Sequence, residues 1–151
     1  MGKSHALDNV RLFAGLEPQQ LEAITAAGEP RSYDIGETIF AEGDPGTHLY
    51  CVCAGRVEIT LALGNQADQA PVHVATDGSV FGEFVLFETV ARTATARAVK
   101  PVEILAIGAA ELRAVFAADP EAGYRVMDNL CRILVGRIQK TTKELKSSLM
   151  W

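Results

Sequence analysis

The sequence predicts a mainly β domain with helices at both ends, an α+β fold built on a sandwich or a jelly roll. Turn signals recur between residues 30 and 108, and the runs between them are short. These signals are Gly36, Gly43-Asp44-Pro45-Gly46, Ala54-Gly55, Gly64-Asn65 and Asp77-Gly78. Many short strands at this spacing are typical of antiparallel sandwiches and jelly rolls. Helical patterns flank the region on both sides.

Three runs between the turns have the composition of β-strands: HLYCVC, RVEITLAL and PVHVAT. In the second run, every other residue is apolar, at Val57, Ile59, Leu61 and Leu63. Such alternation indicates a strand with one buried face. We therefore assign residues 30–108 to a β-roll.

Residues 1–29 are predicted to form two short helical pieces. The apolar face of the first piece consists of Leu7, Val10, Leu12 and Phe13. The second piece, PQQLEAITAAG, has Pro18 near its first helical position and Gly28 at its end. Proline early in a helix and glycine just after it are the usual boundary residues.

Residues 109–151 are predicted to form a short helix followed by a long one. The short helix is AAELRAVFAADP, and Asp119 with Pro120 is a good start for the next. Nothing interrupts that second helix before about Leu149. At 1.5 Å per residue it would be roughly 40 Å long, which is longer than one small β-domain can cover.

The long helix carries two apolar stripes. A heptad seam is formed by Met127, Cys131, Leu134, Ile138, Thr141, Leu145 and Ser148. A second stripe, Val126, Leu130 and Ile133, occupies the first half only. We expect the second stripe to pack on the chain's own barrel and the seam to meet a partner helix in a parallel homodimer. The alternative is a plain amphipathic helix.

Composition and charge limit the function. The chain has 151 residues, 48% hydrophobic and 22% charged, which suits one globular domain over residues 1–151. Residues 1–130 hold 9 basic and 18 acidic side chains (net −9), and residues 131–151 hold 5 and 1 (net +4). An acidic body argues against direct nucleic-acid binding as the main task. The basic end is typical of a solvated helix face.

The lack of a recognisable targeting signal and the small number of cysteines lead us to expect a cytoplasmic protein. The longest uncharged stretch, Pro45 to Gly55, is too short to cross a bilayer, so we expect no membrane association. No signal-peptide core is visible at the start. The three cysteines, Cys51, Cys53 and Cys131, do not suggest a disulfide framework, and we interpret them as small apolar fillers. The histidines are too scattered for a metal site.

The stretch FGEFVLFETVARTATARA, residues 81–98, combines groups that suit a sugar phosphate. Gly82 allows a ligand close to the backbone, and EFVLFE is one short helical turn whose free N–H groups attract an anion. Arg92 offers a planar fork for two phosphate oxygens, and Glu83 can accept from a sugar hydroxyl. Alanines keep one face of the following strand small. The alternative is a half-buried Glu83–Arg92 ion pair without a ligand.

The same stretch resembles the phosphate-binding cassette of cyclic nucleotide-binding domains, whose pattern runs roughly F-G-E-L-A-L followed by P-R-A-A-T. The upstream run GETIFAEGDPGTHLYCVCAGRVEI is similar to that family's first strands. The resemblance covers nearly the whole chain. It implies an eight-stranded jelly-roll β-barrel, flanked by N-terminal helices, a short phosphate-binding helix and a long C-terminal helix.

The resemblance also implies roles for individual residues. Glu83 would accept from the ribose 2′-hydroxyl, and Arg92 would hold the cyclic phosphate. Gly82, Phe84 and Val85 would contribute backbone contacts. Thr93 would touch the phosphate or the amino group of a guanine. Two positions depart from the family pattern, because Ala91 replaces the usual proline and Val85 the usual alanine.

The last helix resembles that of the catabolite activator branch of the family, since GRIQKTTKEL parallels R-R-L-Q-V-T-S-E-K-V. In that branch a Thr-Ser pair covers the base, one residue from each protomer, and Thr141 and Thr142 occupy those places here. No helix-turn-helix pattern follows. We therefore expect a sensor domain of this branch without a DNA-binding domain.

The leading interpretation is a non-catalytic regulatory module that binds cAMP, cGMP or both and signals to an unknown downstream protein by moving its C-terminal helix. The ligand would be its only small molecule, with no cofactor and no metal. One alternative is a degenerate domain that dimerises without a ligand. The other is a cupin-like metal enzyme, but His48 is followed by Tyr50 rather than by a second histidine.

Overall fold

A computed structural model describes residues 6–64, 68–87 and 91–150. A 3₁₀ turn, Arg11–Phe13, and helix α1, Pro18–Ala27, precede the β-roll. Helices α2, Ala109–Ala118, and α3, Pro120–Leu149, follow it. The eight strands are β1 Gly28–Tyr33, β2 Thr38–Phe40, β3 His48–Ala54, β4 Val57–Leu63, β5 Asp68–Ala75, β6 Val80–Phe81, β7 Thr95–Ala98 and β8 Val102–Gly108. The α+β jelly roll with flanking helices is confirmed.

The strands form two four-stranded antiparallel sheets. Their orders are β1-β8-β3-β6 and β2-β7-β4-β5. Except for the β4–β5 hairpin, successive strands belong to different sheets, so each of the other connections crosses from one layer to the other. A further short 3₁₀ helix, Glu83–Leu86, lies between β6 and β7. We call it the cassette turn.

The central strands β3 and β8 of the first sheet are buried on both faces, which explains the uninterrupted apolar run in β3. Leu49 and Cys51 of β3 pack in the cluster that contains α1, α2 and α3 residues. Tyr50 and Val52 pack in the second cluster, between the two sheets. Because successive side chains of a strand point to opposite faces, one strand supplies both cores.

The helix boundaries follow the predicted caps. The Asp119 carboxylate accepts from the backbone N–H of Ala122 at 3.2 Å, and Pro120 is the first residue of α3. Pro18 likewise begins α1. The predicted first N-terminal piece is only the 3₁₀ turn, whose Leu12 and Phe13 are buried. Asn129 of α3 donates to the carbonyls of Leu12 and Ala14, at 2.9 Å each.

The two halves of α3 differ in their surroundings. Val126 and Leu130 are fully buried and Ile133 packs on the same core, as predicted for the second stripe. Two seam residues, Met127 and Leu134, also pack partly on this core. After Leu134 only Arg137 is partly buried, and every residue from Ile138 to Met150 is exposed. The outer half of α3 therefore extends from the barrel with its apolar residues uncovered.

Two expectations about buried residues need correction. Leu61 and Leu63 are 37% and 52% exposed, although they continue the alternation of Val57 and Ile59. Ile59 still packs on the inter-sheet core, whereas the part of the hairpin that carries Leu61 and Leu63 lies outside it. Cys131 is exposed rather than a buried filler, whereas Cys51 is fully buried.

Within the described ranges, no helix has the length and hydropathy of a membrane span.

Candidate functional site

A cavity of about 450 Å³ lies between the second sheet, the cassette turn and α3. This volume is in the range of small-molecule sites. Its walls are formed by Phe40, Ile59, Leu61, Val72, His73, Phe81, Gly82, Glu83, Phe84, Val85, Ala91, Arg92, Thr93, Ala94, Arg137, Lys140, Thr141 and Glu144.

The cassette turn follows a glycine in the left-handed region. Gly82 has φ +74°, and a Cβ there would lie 2.9 Å from Nη1 of Arg92. Both the backbone angle and the space therefore require glycine. The predicted helical turn EFVLFE is observed as a 3₁₀ helix over Glu83–Leu86, and residues 88–90 lie outside the described residues.

Arg92 is a buried cation with an incomplete set of partners. Its side chain donates to the carbonyl of His48 at 2.8 Å and to that of Gly82 at 3.4 Å. Its Nε is buried with no hydrogen-bond partner among the described residues. Burial lowers the pKa of Arg92, with a partial offset from Tyr50 and acidic neighbours, but a guanidinium stays protonated at physiological pH.

Aromatic rings and a second glycine shape the space around this guanidinium. Its Cζ lies 4.2 Å from the centroid of the Phe40 ring and 5.6 Å from that of Tyr50, within cation–π range. A Cβ on Gly46 would lie 2.5 Å from Nε of Arg92. A side chain at position 46 would therefore displace the guanidinium.

Backbone hydrogen bonds hold the segment on which Arg92 sits. The Arg92 N–H donates to the carbonyl of Asp44 at 2.7 Å, and the Gly43 N–H donates to the carbonyl of Arg92 at 2.8 Å. Ala91 pairs with Pro45 in an isolated β-bridge. These contacts fix the approach to Arg92 where the family pattern would have proline at position 91.

Glu83 pairs with a residue that the sequence did not suggest. Its Oε1 lies 2.6 Å from Nη1 of Arg137, and Nη2 of Arg137 donates to the carbonyl of Val80 at 3.0 Å. Glu83 is only 5% exposed. Among the described residues Arg92 forms no ion pair, so the proposed Glu83–Arg92 pair is not observed. The cassette turn is instead tied to the long helix.

One face of α3 forms a wall of the cavity. Arg137, Lys140, Thr141 and Glu144 are spaced as neighbours on one helix face. Thr142 lies one residue beyond Thr141 and is not part of the lining. Three cations and two carboxylates line the cavity (Arg92, Arg137 and Lys140 against Glu83 and Glu144), giving a formal net charge of +1. This balance suits a ligand with a single negative charge.

The opposite wall is mostly apolar and includes one histidine. Ile59 and Leu61 of β4 and Val72 of β5 provide apolar surface beside His73. Burial lowers the pKa of His73, and the nearby charges of Arg137 and Lys140 lower it further. Its imidazole is therefore neutral at pH 7.

The cassette turn is also held from α2. Nη2 of Arg113 donates to the carbonyl of Val85 at 3.2 Å and to that of Leu86. Val85 is buried, whereas Phe84 is half exposed at the cavity. The carbonyl end of the turn is thereby fixed, and the residues at its start, Gly82 and Glu83, line the cavity.

The structure brings most of the predicted site residues to one cavity: Gly82, Glu83, Phe84, Val85, Arg92, Thr93 and Thr141. Thr142 is the exception, on the same helix but outside this lining. Reasoning from the sequence missed Phe40, His73, Lys140 and Arg137. In the sequence, Arg137 and Lys140 looked like part of a solvated basic helix face. The only signal for Phe40 was its place in the run GETIFAEGD, which is similar to the first strands of the family.

Within the described ranges, no three metal-binding side chains are grouped to hold an ion.

Known proteins resemble this chain in sequence and in fold. The family model for the cyclic nucleotide-binding domain matches residues 30–119. Over 137 residues the chain is 31% identical to the CRP-like cAMP-activated global transcriptional regulator of Mycobacterium tuberculosis, covering 89% of this chain and 58% of that protein. The chain thus spans somewhat more than half the length of this curated relative.

Two solved structures extend the comparison. The N-terminal domain of a transcriptional regulator from Streptomyces coelicolor aligns with a TM-score of 0.75 and 29% identity, covering 93% of this chain and 94% of that one. A cyclic nucleotide-binding domain from Methylobacillus flagellatus aligns with a TM-score of 0.84 over 97% of this chain and 83% of that one. Its 18% identity bears on the fold alone. The family match spans the β-roll that carries Glu83 and Arg92, and the chain belongs to the cyclic nucleotide-binding domain family.

Proposed function

We propose that the cavity binds a cyclic purine mononucleotide, cAMP or cGMP, and that the chain is a non-catalytic receptor module in the cytoplasm. The observation that carries this proposal is the buried guanidinium of Arg92, whose Nε has no partner among the described residues. Leaving a buried charged donor unsatisfied is costly. An anion that completes its hydrogen bonds would remove that cost.

A cyclic phosphate suits the space around Arg92. It carries one negative charge, which balances the net +1 of the lining. Oxygen atoms of the phosphate can accept from the guanidinium fork and from N–H groups at the start of the cassette turn. The glycines at positions 46 and 82 keep this region free of side chains.

The ribose is assigned to Glu83. One carboxylate oxygen, Oε1, already accepts from Arg137. A carboxylate has a second oxygen and about four lone-pair sites, so it can accept from the 2′-hydroxyl without losing the ion pair. The base would then extend between the β4–β5 wall and the α3 face that carries Thr141.

Ligand binding would be transmitted to α3 through the Glu83–Arg137 pair. A ribose hydroxyl on Glu83 changes the charge distribution that holds Arg137, and the base contacts the same helix face. A ligand that interacts differently with two positions of α3 shifts their populations. The output would be a displacement of the exposed outer half of the helix, sensed by a downstream protein.

We further propose that α3 pairs with its copy in a parallel homodimer. Ile138, Leu145 and Leu149 are each more than half exposed and lie in the part of α3 that the barrel does not cover. Two such helices would bury these residues against each other. Thr142, which does not line its own cavity, would then approach the base held by the partner subunit.

The alternative is a scaffold that dimerises and binds no ligand. Such a scaffold does not explain why the buried Arg92 has an unpaired Nε or why glycines occupy positions 46 and 82 beside its guanidinium. The cupin-like enzyme would need a cluster of metal ligands. His48 instead shares a hydrogen bond with Thr47, from its Nδ1 at 2.8 Å.

The first prediction tests the function itself. At a hundredfold excess over its dissociation constant, a ligand adds about 2.7 kcal/mol to the free energy of unfolding. For a chain of this size the melting temperature should rise by about 5–11 °C with cAMP or cGMP. Differential scanning fluorimetry measures the shift, with 5′-AMP as the control ligand. Absence of any shift at millimolar cAMP and cGMP would refute the receptor proposal.

The second prediction concerns the geometry of Arg92. Arg92→Lys should be nearly as damaging as Arg92→Ala, because lysine keeps the charge but lacks the planar fork. Losing a buried charge partner costs about 2–5 kcal/mol, or roughly 30-fold to several thousandfold in affinity. Isothermal titration calorimetry compares the variants. Wild-type affinity in Arg92→Lys would contradict two-oxygen binding.

The third prediction concerns the link between the cassette turn and α3. Arg137→Ala leaves the buried Glu83 carboxylate without its cation and should lower the free energy of unfolding by about 1–3 kcal/mol. The matched control is Arg132→Ala, which removes the exposed Arg132–Asp128 pair at 3.1 Å and should cost less than about 1 kcal/mol. Urea denaturation measures both.

The same pair of variants tests the transmission. In wild-type protein, cyclic nucleotide should change the amide hydrogen exchange of the outer half of α3. That change should disappear in Arg137→Ala and persist in Arg132→Ala. An unaltered response in Arg137→Ala would mean that the ion pair does not carry the signal.

The fourth prediction tests the dimer. Combining Ile138→Glu with Leu145→Glu places charges in the seam and should yield a monomer, with little change in stability because both residues are exposed. Gln139→Glu with Lys146→Glu, each one position further along α3, is the matched control and should stay dimeric. Sedimentation velocity distinguishes the two. A wild-type protein that is monomeric at all concentrations would rule out the seam.

A further inference from the structure

His73 lies opposite Ile59 on the cavity face of the β4–β5 hairpin, and a β-bulge next to it brings Val72 to the same face. Ile59 pairs with His73, but the next residue of β4, Thr60, pairs with Pro71, so Val72 is the extra residue on β5. In a regular strand, neighbouring side chains point to opposite faces. Here Val72 and His73 both line the cavity. Bulges next to binding sites commonly redirect side chains in this way.

The imidazole of His73 has an unused hydrogen-bonding atom. Its Nε2 is buried and has no partner among the described residues. Buried polar atoms of side chains are nearly always hydrogen-bonded, so such an atom calls for an explanation. A neutral imidazole has one donor and one acceptor nitrogen, and the edges of purines offer partners of both kinds.

The position of His73 relative to the other binding groups identifies what it can contact. Phosphate and ribose are assigned to Arg92 and Glu83 on the cassette side. His73 belongs to the β4–β5 wall, and Arg137 and Lys140 of α3 are close enough to influence its charge. The space between this wall and α3 is where the base of the nucleotide would lie.

We propose that His73 is a base-contacting residue that sets the preference among purines, hydrogen-bonding to the purine edge when the base enters between β5 and α3. This inference rests on the proposed cyclic-nucleotide function. Entry of the base moves the exposed side chain of Lys140 aside and gives Nε2 its missing partner, while Arg137 stays paired with Glu83. His73 then reads the base, while Arg92 and Glu83 bind the part that all cyclic nucleotides share.

Calorimetric titration of the full chain with cAMP and with cGMP tests this role. His73→Ala should weaken binding of the preferred nucleotide by about tenfold and change the ratio of the two affinities. Val72→Ala is the matched control, because it removes wall area next to His73 but no hydrogen bond. It should weaken both nucleotides by the same factor and leave the ratio unchanged.

Nitrogen NMR of the histidine side chains provides a second, independent readout. The chain has three histidines, so the His73 signals are assigned from their loss in His73→Ala. The nitrogen shifts of His73 should move on addition of cAMP or cGMP and should not move with inorganic phosphate. This measurement decides the question even if His73→Ala folds poorly.

The outcomes separate this inference from the function on which it depends. If wild-type protein and Arg92→Ala both fail to bind either nucleotide, the proposed function and the role of His73 fall together. If wild-type protein binds and Arg92→Ala does not, the function stands. In that case an unchanged affinity ratio in His73→Ala, or His73 nitrogen shifts unaffected by nucleotide, overturns the role of His73 alone.

Discussion

The burial of one guanidinium is the constraint on which the site depends. Arg92 is 8% exposed, and its charge is kept inside the domain by carbonyls of His48 and Gly82 and by the ring of Phe40. Each partner comes from a different part of the β-roll, so the jelly roll must close before the charge is accommodated. The absence of side chains at positions 46 and 82 follows from the same requirement, because a Cβ at either would collide with the guanidinium.

A second buried charge connects this region to the helices. Glu83 lies one residue from Gly82, and its partner Arg137 belongs to α3, so a single ion pair joins the cassette turn to the helix. Arg113 joins the same turn to α2. Buried charges tolerate little misplacement because their desolvation is offset only by well-placed partners. The cassette turn is therefore held in place by both helices.

Local patterns predicted the fold well and the site in part. Alternation, turn residues and the Asp119-Pro120 cap act within a few residues, so the strands and helix starts could be inferred from the sequence. Gly82, Glu83 and Arg92 were found because they lie in one short motif. Arg137 and His73 were not, since Arg137 is placed by its ion pair with Glu83 and His73 by the pairing of β5 with β4. Leu61 and Leu63 follow the alternation but extend beyond the barrel, where the pattern no longer reports burial.

The proposed signalling depends on the uneven burial of α3. Its first half is fixed by Val126 and Leu130, whereas its outer half is attached to the body mainly on the face that borders the cavity. Under the proposed function, a partner that binds the outer half, including a second copy of the chain, would therefore act on the same helix as the ligand. Linkage requires this coupling to be reciprocal: if the nucleotide changes the affinity for a partner by some factor, the partner changes the affinity for the nucleotide by the same factor. Under the proposed function, the affinity for the ligand would accordingly depend on the assembly state of the chain as well as on its pocket.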